Sequence, residues 1–483
     1  MDSEYCLSHW EYLIDNAKCP ILEPMVSNNM SRILLTSVYN KKIIVTVMIT
    51  VFAALIIDTS LIKASDLYSN LAVYSRSTDI FIIIIAISMV GQFLLLGFVK
   101  QKTREMMIRK ETLHLNAIHK MVSIAQYTLS AILILAILQV VVTGHYNSAI
   151  LTSATTISYL LAISMMGLLA QRFFSWFKSN RNIVVLLYGI ASATLAINTG
   201  FTLAFAINIL LDRPTEVGPR MGSGLISVSQ SDVTASLNYS YIVSSIISFI
   251  ATWVATALLL HHYSDRIGMI KFWVTISIPL VYFLSQFLSI FLNLFSPYLQ
   301  SDPIFYGILL TLIFTLSKVA GGIFFGIGFW LIARHISADK FVRDYLIISA
   351  YGLILFFISN QGIAVANEFY PPFGLATVIF AGISSYLILV GIYSSAISVS
   401  QDVELRRSIR KFAIEESKLL DSIGTSHMEQ EIQDRVNTMT KQVQDRMLEE
   451  SGLDTSLSEK EVKSYLEQVL QELKKGTMQN GDK

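Results

Sequence analysis

"TLIFTLSKVAGGIFFGIGFWLIARH", residues 311–335, is a long apolar run interrupted by one cation, Lys318. A helix needs about 20 apolar residues to cross a hydrocarbon core about 30 Å thick. The run supplies them before it reaches Arg334 and His335, so it reads as a membrane span. The lysine inside it then needs its own explanation.

The same rule finds nine more spans, giving ten at roughly 43–62, 80–99, 121–143, 150–170, 183–211, 241–260, 272–295, 304–333, 345–366 and 375–399. Composition agrees. The 483-residue chain is 53% hydrophobic and 15% charged, where soluble domains carry about 25% charged residues. Its net charge of +1 gives no field that would attract nucleic acid. The first 40 residues are mixed polar and lack the short apolar core of a cleavable signal peptide.

Lysine and arginine alternate from loop to loop. One set of loops holds Lys41 and Lys42, the cluster from Lys100 to Lys120, Arg172 to Arg181, Arg266 and Lys271, Arg334 to Arg343, and Arg406 to Lys411. The other set holds only Lys63, Arg76, Arg213 and Arg220. Positive loops stay inside, so both termini are expected in the cytoplasm of a cell-membrane protein. Cys6 and Cys19 then face a reducing compartment and are expected as free thiols. The sequon at Asn238 falls in the long outer loop expected over 212–240, open to glycosylation where the machinery exists.

The basic ends also serve as rulers. At about 1.5 Å per residue, Lys318 stands 16 positions and about 24 Å from Arg334. Asp58, the one carboxylate inside a span, is 16 positions from Lys42. Asn198 is 17 from Arg181, Asn360 is 17 from Arg343, and Gln286 is 15 from Lys271. Asp58, Asn198, Gln286, Lys318 and Asn360 therefore form a candidate polar layer in the outer third of the membrane. At that depth Lys318 has three explanations: snorkelling to the outer headgroups, an ion pair with Asp58, or a functional ion site. Gly322 and Gly326, in GxxxG spacing, point to close helix packing, with a helix break near Gly321 as the transporter-like alternative.

A shift of 162 residues sets Asn198 and Gly200 on Asn360 and Gly362, and Arg172, Lys178 and Arg181 on Arg334, Lys340 and Arg343. Residues 80–211 and 241–366 could then be tandem copies in one orientation, as transporters often are built. Basic turns imposed by topology are the competing account.

Residues 400–483 hold 13 Lys/Arg and 17 Asp/Glu. They read as two or three amphipathic helices, with seams at Leu405–Leu419, Ile432–Met447 and Val462–Leu473. Such seams are thin. They call for a partner protein, a second copy in a coiled coil, or the membrane domain.

No nucleotide loop, zinc-protease motif or serine elbow occurs. The sequence carries no catalytic, cofactor or metal assignment, and the protein is not expected to be an enzyme. Residues 370–411, with the turn Pro371-Pro372-Phe373-Gly374 and the basic helix starting near Asp402, resemble the last two spans of an uncharacterised family of archaeal multi-span membrane proteins. The segment is also reminiscent of membrane sensor regions of histidine kinases. That likeness implies no function, and no kinase module follows it.

The expectation is an all-α, polytopic integral membrane protein. It has a 1–40 cytoplasmic segment, a ten-span domain over 41–399 and a helical cytoplasmic tail over 400–483. The bilayer is its first partner. Sensing or scaffolding through the tail is the expected role, and secondary transport through the polar layer is the alternative.

Overall fold

The computed structural model describes residues 41–68, 77–107, 113–211, 215–217, 232–261, 264–287, 316–335, 340–361, 370–401 and 415–451, with isolated positions 301, 305, 309 and 313. The expected 1–40 segment and the seams at Leu405 and Val462–Leu473 lie outside them. The chain divides into two units, Met1–Ile49 and Thr50–Lys483. Of the first, the described part is the opening turns of one helix, where Ile44 and Met48 are buried and Ile43, Val45 and Ile49 exposed. Everything below concerns the second unit.

The helices in order are α1 (Lys41–Tyr68), α2 (Ser77–Met107), α3 (Leu113–Val142), α4 (Ser148–Ser179), α5 (Ile183–Leu211), α6 (Asp232–Leu259), α7 (Ser264–Ile267), α8 (Met269–Ser285), α9 (Leu316–His335), α10 (Lys340–Ser359), α11 (Leu375–Gln401) and α12 (Glu415–Ser451). One β-bridge joins Tyr146–Asn147 to Glu216–Val217. Among the described residues nine helices are long and apolar enough to cross a membrane. The span expected over 272–295 shows as the 17-residue α8, which contains Pro279. The sequon Asn238, expected in a loop, lies on α6, because helix begins already at Asp232.

Six helices follow one another round a closed circuit: α4 on α5, α5 on α6, α6 on α9, α9 on α10, α10 on α11, and α11 back on α4. Helix α11 is the innermost, with its whole apolar window buried, as expected of a helix that is apolar all round. Small residues let its neighbours in. A side chain at Gly382 would meet the Ser158 carbonyl at 3.2 Å, and one at Gly391 the Tyr345 carbonyl at 2.5 Å.

The GxxxG pair acts in the same way. Helix α9 runs unbroken through Gly321. Gly326 packs on the Ala350 carbonyl and Gly322 on Phe357, so the glycines bring α9 and α10 together and do not break the helix.

The tail departs from expectation. The end of the first expected segment and all of the second form one helix, α12, with no break between Leu419 and Ile432. Leu419, Leu420 and Ile423 are buried, whereas Ile432 and Met439 are exposed. Burial therefore follows contact with α11, α4, α5 and α6, and the expected seam past residue 430 does not decide it.

Candidate functional site

Lys318 is the third residue of α9 and is buried, 8% exposed. Its ammonium bonds within the protein. It donates to the Asn360 carbonyl at 3.2 Å and to the Tyr241 hydroxyl at 3.1 Å. Helix α10 was expected to continue to 366, but it ends at Ser359, and Asn360 and Gln361 follow as irregular chain. The last carbonyls of a helix have no partner within it and carry the negative end of its dipole. Two side chains meet them: Lys318 at Asn360, and the Tyr159 hydroxyl from α4, which donates to the Ser359 carbonyl at 3.3 Å.

The amide of Asn360 donates to the Asn198 side-chain oxygen at 2.9 Å. The Asn198 amide in turn donates to Ser244 Oγ at 3.0 Å and reaches the Tyr241 carbonyl at 3.4 Å. Five elements of the helix circuit thus meet in one hydrogen-bonded cluster. Its buried edge keeps unmet capacity: Asn360 Oδ1, Ser359 Oγ and Gln361 Nε2 have no hydrogen-bond partner.

Asp58 belongs to a different place. Its carboxylate accepts from the Gly374 amide at 2.9 Å, the Thr377 amide at 3.0 Å and the Thr377 hydroxyl at 2.7 Å. These are the free donors at the start of α11, where a negative charge also suits the dipole. Gly374 holds φ +91°, a conformation that side-chain-bearing residues rarely adopt, and this turns its amide toward Asp58. The Asp58–Lys318 ion pair, one of the three explanations offered for the lysine, does not form: each side chain meets a helix end. Lys318 meets the end of α10 and Asp58 the start of α11.

Of the five sequence candidates the structure joins three, Lys318, Asn360 and Asn198. Asp58 stands at the α11 start, and Gln286 bonds locally to the Phe283 carbonyl. Sequence reasoning missed Tyr159 and Tyr241, because a tyrosine in an apolar run looks like packing. Only its depth, 13 residues from Arg172 for Tyr159, links it to the layer.

It also missed a second polar seam. Gln92 and Ser88 on α2, and Gln126 and Ser130 on α3, are buried without a hydrogen-bond partner. The Phe93 and Tyr127 rings pack at 5.7 Å. Further along α3, His119 Nδ1 and the Tyr386 hydroxyl share a hydrogen bond of 2.7 Å.

At the opposite, basic end of the circuit α12 is fastened by its first turns. Ser426 donates to the Trp176 carbonyl at 3.0 Å, Asn182 to Ser422 Oγ at 2.8 Å, and Gln430 to Ser175 Oγ at 2.9 Å. Ser179 donates to the Glu429 carboxylate. Arg172 lies over the Tyr393 ring at 5.3 Å, and that ring also packs on His427. Among the described residues no group of three or more histidines, cysteines or carboxylates converges as a metal site.

Comparison with protein families, with curated proteins and with solved structures found no match.

Proposed function

We propose that the protein is a ten-span membrane sensor or scaffold with both termini in the cytoplasm, and that it reports the state of its polar cluster through α12. One observation carries the reading: a single helix, α4, touches both places. Its Tyr159 bonds the end of α10 beside Lys318, and its Ser175, Trp176 and Ser179 hold α12. These contacts stand 17 positions apart, about 25 Å along one rigid rod. A shift of α4 at the cluster is therefore a shift at the tail. From Glu431 to Gln442 the helix is charged and largely exposed, a surface for a cytoplasmic protein or a second copy.

Secondary transport is the second reading, favoured by one feature. Asn198 and Asn360 are 162 positions apart and hydrogen-bonded to each other, the contact that equivalent residues of two copies make at a shared axis. The two readings separate in sealed vesicles containing the purified protein. The sensor predicts no uptake of small labelled solutes under a proton or sodium gradient. Gradient-driven uptake that Lys318→Met abolishes would overturn it in favour of transport.

A further inference from the structure

A groove of about 320 Å³ runs between α5 and α6 on the outward-facing side of the helix circuit. Ile197, Phe201, Val243 and Ile247 line it together with Thr194, Ser244, Tyr239 and Ser240. Ile197 is 55% and Ile247 51% exposed, so the groove opens away from the protein interior. Thr194 stands about 20 Å and Phe201 about 30 Å from Arg181, at ~1.5 Å per residue. The groove thus spans the outer third of the membrane and ends near its surface.

We infer that this groove holds one hydrocarbon chain of an outer-leaflet phospholipid, with the headgroup beside Tyr239 and Ser240. The volume is many times the roughly 30 Å³ a water molecule occupies, yet the hydroxyls of Thr194 and Ser244 in its lining are already bonded within the protein. Thr194 donates to the Ile190 and Ala191 carbonyls. Ser244 donates to the Tyr241 carbonyl and accepts from Asn198. With these hydroxyls bonded inside the protein, the lining between them presents methyl and methylene groups to the occupant. At this depth the surrounding solvent is acyl chain. Tyrosine at the outer end suits the headgroup level, where amphipathic rings collect.

The groove also touches the cluster. Ser244 lines it and is the first member of the chain Ser244–Asn198–Asn360–Lys318. Filling the groove presses on the side chain from which the Asn198 amide takes its position. This rests on the sensor reading and names its ligand class, a lipid tail.

The test uses the full chain in vesicles made with a phospholipid whose acyl chain carries a photoactivatable diazirine, followed by peptide mapping. Adducts on 194–201 and 239–247 should exceed those on the exposed α3 face at Ile124, Ile134 and Leu138 by about fivefold, the ratio set by about 1 kcal/mol. Val243→Trp, which fills the groove, should bring them down to the α3 level. Ile197→Trp serves in its place if the first variant does not fold. Equal labelling of the α3 and groove faces, or labelling unchanged in both folded variants, would overturn the proposal. The readout needs no signalling, so a failure here leaves the sensor reading itself standing.

Discussion

Asp58 and Lys318, both buried, point at opposite kinds of helix end: the carboxylate at the amide of Gly374, the ammonium at the carbonyl of Asn360. Each is countered by a terminus of opposite polarity, with no shared partner. Stability in micelles should therefore show additive losses for Asp58→Asn and Lys318→Met, within about 0.5 kcal/mol. A coupling energy well above 1 kcal/mol would restore the direct ion pair.

Gly374 serves Asp58 through its backbone alone. Gly374→Ala forces a side chain into positive φ, at a cost of about 1–2 kcal/mol. Thermal unfolding of the variant should show that loss relative to the wild type. If alanine is tolerated without a shift, the turn does not hold the conformation described.

Gly326 is a matter of space. An added Cβ would lie 2.8 Å from the Ala350 carbonyl oxygen and 2.7 Å from the Ile354 side chain. Gly326→Ala must move α9 away from α10, and overpacking of this kind costs about 1–3 kcal/mol. Gly200, with nothing within 4 Å of its Cβ position, is the control and should accept alanine.

Gln92 and Gln126 carry buried amides that make no hydrogen bond. An unmet buried polar group costs about 1–3 kcal/mol, and replacing both by apolar groups of similar shape can be neutral or stabilising. The double variant Gln92→Leu, Gln126→Leu should unfold at or above the wild-type temperature. A marked loss of stability would show that the seam is hydrated or bonded in the membrane.

The spans were largely legible because the bilayer demands length and apolarity, and both are written in composition. Residues 183–211 match α5 end to end. The end of α10 was not legible. Apolar residues continue past Ser359, so hydropathy extends the helix, while the actual stop depends on carbonyls taken by Lys318 and Tyr159 from two other helices. The depth ruler placed Lys318, Asn198 and Asn360 at one level, and they do meet. It placed Asp58 there too, but depth says nothing about which way a helix faces. In α12 the thin seam was visible, but the half that docks was set by Trp176 and Asn182, which local pattern cannot reveal.

The claim that the polar cluster and the tail are joined through α4 is tested most directly by hydrogen exchange of the full chain in vesicles. Amides of Leu419–Gln430 should exchange slowly in the wild type, and those beyond Ile432 rapidly. In Lys318→Met, and in Tyr159→Phe, protection over 419–430 should fall while α2 and α3 keep theirs. Unchanged protection of that segment in both variants would contradict the account.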